Sequence, residues 1–325
     1  MPTVLSGVAA VGAVVACAGL ALGRAGAQPE PVAVPGAPAA TMEEATAERP
    51  SGATARLTLG GQHTFASEFK DAPGEVGVSR GSAELALSFP LRGSWRLGVG
   101  MDTEISSYDF TDATGFVAGT DEPWDETAQF SLSATASTRI GERWGAFFGG
   151  GVDSSAQFGA DFADSITGGV FAGGSYAFSD RFTLGFGAGV RTRLEDNALV
   201  LPVISIDYRF ADRWRLGSRQ ALNSFGLELS YEVTDAVTLG VDVAYEGRAY
   251  RLDDEGPVPE GVGRDWRLPA AFSVGWKVMP QVTLAGRAGV AFFQEYTLDD
   301  EDGDEINEIE ADPAAFAGAT LTFDF

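Results

Sequence analysis

The chain has 325 residues, 45% of them hydrophobic and 11% aromatic, with 42 glycines, a formal net charge of -24 and a pI near 4.2. So acidic a chain lacks the basic face that phosphate binding needs, which excludes nucleic acid as a partner. A single cysteine and a single histidine leave no disulfide and no thiolate metal site, so neither a cofactor nor an enzyme is expected; the glycines disfavour a helical fold, each costing a helix interior about 1 kcal/mol relative to alanine.

From Val4 to Leu22 the sequence is apolar and uncharged, and Ala25-Gly26-Ala27 follows as a small-x-small cleavage pattern, which together predict a secretory signal peptide over 1–27. Val14-Val15-Ala16-Cys17 loosely matches a lipoprotein processing site, with lipidation of Cys17 as the alternative. Residues 28–52 are rich in Pro, Ala and Glu without periodicity and predict a disordered linker. The third segment, 53–325, carries the fold, with order beginning near Thr54.

Beyond the linker the chain alternates with period two. Trp95, Leu97, Val99, Met101, Thr103 and Ile105 share one face, while Arg96, Gly98, Gly100, Asp102, Glu104 and Ser106 share the other, as in a strand with one apolar side. The unit recurs after the short polar turns Gly141-Glu142-Arg143, Ser179-Asp180-Arg181, Ala211-Asp212-Arg213, Thr234-Asp235-Ala236 and Met279-Pro280-Gln281. Longer polar connections at 107–126, 252–265 and 298–313 lie between, so short turns and long loops are expected to alternate strictly. This pattern predicts an all-β, transmembrane, up-and-down antiparallel β-barrel of about 14 strands in the bacterial outer membrane, with turns on the periplasmic side. The ninth strand, around Trp214–Leu222, is the weakest; without its hairpin the count is 12.

A closed sheet of about 14 strands is too wide for side chains to fill, so the apolar face must meet outer-membrane lipid. Charged residues fall in the other phase. Glu84, Asp102, Glu104, Arg191, Arg193, Asp207, Arg209, Arg215, Glu228, Asp242, Glu246, Arg248 and Arg287 are therefore the predicted lumen lining, with Arg80 and Asp153 in the same phase and His63 and Arg251 as exceptions. Trp95, Trp144, Phe182 and Trp214 directly follow short turns and predict an aromatic girdle. The alternating Ala317, Ala319, Leu321, Phe323 and Phe325 end the chain like a strand read by the outer-membrane assembly machinery.

The stretch Gly226-Leu227-Glu228-Leu229-Ser230-Tyr231, the Thr234-Asp235 turn, Val237-Thr238-Leu239-Gly240, Tyr245-Glu246-Gly247-Arg248 and Leu252-Asp253-Asp254-Glu255-Gly256-Pro257 resembles a bacterial outer-membrane barrel family known only as a domain of unknown function. The resemblance implies the fold and the location, and it brings no catalytic or binding residues.

Other chemistry fits poorly. A Ser-His-Asp hydrolase needs an imidazole base, and the position two after His63 is Phe65 rather than a serine. The acidic run Asp299–Glu305 fails as a calcium loop, because aligning Gly303 puts Leu298 and Ile309 at ligand positions. Gly149-Gly150-Gly151 lies inside a strand and not in a phosphate loop. Closing the turns sets Glu84 opposite Asp102, Glu228 opposite Asp242 and Arg209 opposite Arg215, so acidic and basic stripes are expected on different arcs. Two functions follow: a passive channel for small hydrophilic solutes with a transverse field, or a non-conducting structural or binding barrel whose stripes reach across and neutralise one another and whose acidic surface loops bind a surface partner or divalent cations.

Overall fold

The computed structural model describes residues 52–117, 120–221 and 223–325. The predicted signal peptide, Cys17 and all of the predicted linker but Gly52 lie outside the described residues. The strands are β1 (Thr54–Glu68), β2 (Glu75–Pro90), β3 (Arg96–Thr111), β4 (Glu126–Ile140), β5 (Trp144–Gln157), β6 (Ile166–Ser179), β7 (Phe182–Arg193), β8 (Asp196–Ala211), β9 (Trp214–Ala221), β10 (Ser224–Thr234), β11 (Val237–Arg251), β12 (Val262–Met279), β13 (Val282–Asp299), β14 (Glu305–Ala311) and β15 (Ala314–Asp324). Each pairs antiparallel with its neighbour in sequence, except that β14 and β15 share one edge of β13. Asp312 and Pro313 interrupt what is a single wall strand, so the wall has 14 strand positions. The ninth strand is present but only eight residues long.

Closure comes from β1 against β15, in register from Arg56↔Asp324 to Thr64↔Phe316. Phe325 exchanges backbone hydrogen bonds with Ala55, so the chain end joins the ladder. Closing the sheet satisfies the edges that an open sheet would leave bare.

The phase read from sequence holds around the wall. Met101, Ile105, Phe130, Leu132, Phe148, Val170, Phe186, Ile204, Val241, Phe272 and Leu284 project outward and exposed, while their neighbours point to the lumen. Near the short turns, outward rings touch in an unbroken chain from Trp144 through Tyr176, Phe178, Phe182, Tyr208, Phe210 and Trp214 to Tyr231, with centroids 4.7–6.1 Å apart. The girdle thus has more members than the first residue after each turn.

Three local features depart from the sequence expectation. First, the loop end is not uniformly long: two-residue connections join β7 to β8 (194–195) and β9 to β10 (222–223). Second, β13 carries a bulge at Phe293, whose φ is 52°, which reverses the phase so that Gln294, Tyr296 and Leu298 are buried and Glu295 pairs with Trp266. An extra residue on one strand flips every later side chain. Third, β5 leaves β6 beyond Ser154 and meets β11, with Arg251↔Ala156 paired in parallel and the Ser155 hydroxyl donating to the Ala249 carbonyl. The loop half of the barrel is thereby pinched.

Leu132→Arg is expected to lower stability in lipid vesicles by about 2–4 kcal/mol, the cost of a cation on a hydrocarbon-facing wall. Urea unfolding followed by tryptophan fluorescence measures it.

Candidate functional site: the lumen and its closure

The lumen is where charged side chains converge, because the strand phase that hides them from the outer surface aims them at one another. Midway along the barrel, facing walls touch. Arg80 on β2 pairs with Asp265 on β12, and both side chains are 4% exposed. Arg248 on β11 grips Glu104 on β3 through two hydrogen bonds of 2.6 and 3.1 Å. Arg267 on β12 holds Glu246 with bonds of 3.0 and 2.7 Å and donates to the Thr64 hydroxyl at 2.7 Å. Tyr108 donates to Asp265 and its hydroxyl oxygen lies 3.1 Å from that of Tyr250. Arg248 lies 3.6 Å from Glu246 and 3.7 Å from Asp265, which joins the pairs into one network.

Guanidinium to carboxylate bonds, bidentate for Arg248 and Glu104, allow such charges to leave water, since each bond repays part of the desolvation. The network spans β2 and β3 on one side and β11 and β12 on the other, so it braces the barrel across its width.

Toward the loops the inward phase turns apolar. Phe69, Val76, Val78, Tyr108, Phe110, Tyr250, Leu252, Tyr296, Leu298 and Ile309 form one buried cluster, and the connection after β3 adds Ala113, Phe116, Val117 and Trp124 to it. Rings of Phe110 and Trp124 stand edge to face at 5.2 Å, and Tyr108 stacks on Phe110 at 6.0 Å. A loop therefore folds inward and caps the lumen with packed aromatic side chains over the ion network.

The predicted lining residues fall into distinct places. Glu104, Glu246 and Arg248 belong to the network. Asp242 receives Arg287 at 2.6 and 3.2 Å and Arg219 at 3.0 Å, while Glu228, across from Asp242 as expected, is half-buried. Glu84 and Asp102 oppose each other as expected and are half-buried in the lumen. Arg191 lies 3.7 Å from Asp153. Asp207 pairs with Arg215 at 2.8 Å. Arg193 sits at the tip of the β7–β8 hairpin, ion-paired with Asp196 and donating to the Asn197 carbonyl at 3.2 Å. Arg209 is exposed at the short-turn rim.

Two expectations are corrected here. Arg209 and Arg215 fall in the bulge where the β8–β9 register shifts between Tyr208 and Ala211, and Arg215 pairs with Asp207 so that it does not form a like-charge stripe with Arg209. Acidic and basic residues do not keep separate arcs either: β11 alone carries Asp242, Glu246 and Arg248, each bonded to an opposite charge. Like charges along a wall cost energy, and interleaving removes that cost.

Arg251, out of phase in the sequence, is buried and holds Glu195 and the carbonyls of Asp164 and Glu260. Asp265 escapes the sequence reading because it extends the preceding loop to residue 265, and Arg267, two residues further on, is absent from the predicted lining. β12 starts at Val262, and stepping back by two from Ser273 places both inward. His63 faces outward with its Nδ1 2.9 Å from the Ser79 hydroxyl on β2, a cross-strand neighbour that inspection of position 65 misses. In the acidic loop, Asp300 accepts the amides of Asp302 and Asp304 at 3.0 and 2.9 Å, so that carboxylate shapes the turn.

Arg80→Met strands the Asp265 carboxylate and is expected to cost about 3–5 kcal/mol, whereas adding Asp265→Leu restores much of it, as for other buried pairs replaced by apolar residues. Denaturant unfolding of the single and double variants measures the difference.

The chain belongs to the family described as a domain of unknown function (DUF6268), whose sequence profile matches residues 125–322. No curated protein matches it in sequence. Among solved structures it is similar to the COG4313 outer membrane channel from Pseudomonas putida F1, at 11% identity over 86% of this chain and 97% of that one, with a TM-score of 0.43. It is also similar to a Pseudomonas aeruginosa FadL homologue, at 14% identity over 84% and 90% of the two chains and a TM-score of 0.44. The NanC porin gives 9% identity over 82% and 98%, with a TM-score of 0.36. The architecture of this barrel rests on its own strand ladder and not on these likenesses.

Proposed function

We propose that this member of the DUF6268 family resides in the outer membrane of a bacterium as a barrel shut along its axis at the loop end, the second of the two functions the sequence allows. The observation that carries this reading is the layered closure. Arg80–Asp265, Arg248–Glu104 and Arg267–Glu246 tie facing walls together, and the aromatic cluster around Phe110 and Trp124 lies above them. Ions that entered from the loop side would have to cross a packed apolar layer and then break several buried charge pairs, and neither step is compatible with steady conduction.

Membrane residence draws on the outward apolar band and the aromatic girdle, which suit hydrocarbon and headgroups in turn. The same surface would aggregate in water. Recognition of the C-terminal strand by the assembly machinery fits its role here, since the strand that ends at Phe325 completes the ladder with β1.

The channel reading keeps one supporting observation. Beneath the network, Glu84 and Asp102 face each other in a wall lined by Gly100, Ser131, Ser133 and Gly151, which leaves small polar surface on the turn side. A route for hydrophilic solutes would therefore open only if both the network and the aromatic layer came apart, and the paired carboxylates would favour cations in it.

Planar-bilayer recordings of the refolded chain test both. The wild-type protein is expected to be silent. Opening both layers at once, with Arg80→Ala, Arg248→Ala, Phe110→Ala and Trp124→Ala, is expected to give cation-selective currents, and steady wild-type conductance would overturn the axial closure.

A further inference from the structure

The wall is unevenly sewn. Along β7 and β8 the ladder runs from Phe182↔Tyr208 to Val190↔Val200, and β10 pairs with β9 over the whole of β9. Between β8 and β9, among the described residues, pairing is confined to Asp207↔Gly217, Tyr208↔Leu216 and Ala211↔Trp214, all at the turn end. The next rung is already replaced: the Ile206 amide donates at 2.9 Å to the Ser218 hydroxyl and not to a backbone carbonyl. From there to the loop end the edge of β8 runs without a neighbour in the ladder.

Two observations explain why the strands part. Asn223, at the tip of the β9–β10 hairpin, is drawn across the lumen to Gln129 and to Glu104 (3.4 Å) on the far wall, which tilts that hairpin inward. Pro202 then matches the edge it leaves. The Arg209 amide bonds the Arg181 carbonyl beside β7 and the Ile206 amide points the other way, so the even-numbered residues of β8 aim their amides at the seam. Proline has no amide to give and is tolerated where no partner strand asks for one. At bilayer depth a bare strand edge survives only where it borders a cavity or protein, because hydrocarbon cannot satisfy it.

Behind the seam the lumen wall carries an apolar patch between the Arg191–Asp153 pair and the Asp207–Arg215 pair. Phe147, Phe171 and Val203 form a buried inward-facing cluster, and Leu201 lies beside Val203 on the same face of β8. The two rings lie flat on the wall because glycine permits it: a Cβ on Gly173 would sit 2.5 Å from the Phe147 ring, and one on Gly149 2.8 Å from that of Phe171. Outside the seam stand Val200 and Ile204, both exposed. Apolar surface thus continues from the outer wall, past the open edge of β8, to the inner patch.

We infer that the seam between β8 and β9 is a side portal through which small apolar molecules pass between the surrounding hydrocarbon and the patch formed by Phe147, Phe171, Leu201 and Val203. The lumen's polar side cannot hold such a ligand, whereas this patch removes it from water, with a gain that scales with the apolar area covered. The portal rests on the proposed membrane residence and is independent of axial closure, which concerns water-borne ions.

The test uses thiol accessibility in the full chain carrying Cys17→Ser, so that each introduced cysteine is the sole thiol. Val203→Cys, Leu201→Cys, the outward Ile204→Cys and the remote lumenal Ser131→Cys are refolded into lipid vesicles, with heat-modified gel mobility to select folded barrels. Each reacts with bilayer-dissolved N-(1-pyrenyl)maleimide and with the charged, water-borne thiosulfonate MTSET, and every rate is divided by that of free glutathione. Val203→Cys and Leu201→Cys are expected to take the pyrenyl reagent within about ten-fold of Ile204→Cys and to be slower with MTSET, since thiol labelling follows access. Pyrenyl labelling of both inward cysteines as slow as that of Ser131→Cys overturns the portal. So does MTSET labelling as fast as pyrenyl labelling, which would show arrival through water. Conductance is unaffected by either outcome, so failure here is distinct from failure of the axial closure.

Discussion

Everything in this barrel depends on where the backbone hydrogen bonds go. A wall that meets hydrocarbon must pair each amide and carbonyl with another strand, and that demand explains the closure of β1 on β15, the pairing of Phe325 with Ala55 and the length of the strands. It also gives meaning to the break in the ladder between β8 and β9 among the described residues. A gap between β8 and β9 is costly in lipid, so it marks a spot where something other than lipid meets the edge.

Closing 14 strand positions leaves an interior that side chains have to organise. The barrel solves this unevenly. On the side of β1–β3 and β11–β13 the walls are drawn together by guanidinium to carboxylate pairs and sealed by aromatic packing, an arrangement whose value lies in geometry more than in net stability, since buried pairs roughly balance their desolvation. On the side of β5–β8 the wall is made of glycine with flat phenylalanine rings. One chain thus presents a braced side and a thin-walled side with an apolar patch, and the inward tilt of the β9–β10 hairpin lies between them.

Much of this was legible in the chain before folding. Alternation of Trp95 to Ile105, the turn triplets, and the terminal run to Phe325 specify strands, their order and their outward face, because side-chain phase in a strand is a local property. The like-charged pair Glu84 and Asp102 follows from counting back across a tight turn, and the register agrees. Arg209 and Arg215 lie where a bulge interrupts that counting, and Arg215 turns to Asp207. Phase also fails past Phe293, where one extra residue exchanges the faces.

What the sequence alone determined is therefore every property set by period and turn: a closed antiparallel barrel, an apolar exterior, charged residues within, and an aromatic girdle. What only the tertiary structure decided is which charges meet. Arg80 and Asp265 are 185 residues apart, Glu104 and Arg248 are 144 apart, and no spacing rule links them. Their partnership depends on how wide the barrel is, how its strands shear, and which loop turns inward. The physical reason is that strand phase says only which side of a sheet a residue takes, while contact across a lumen is a distance between walls that exists only once the sheet has closed.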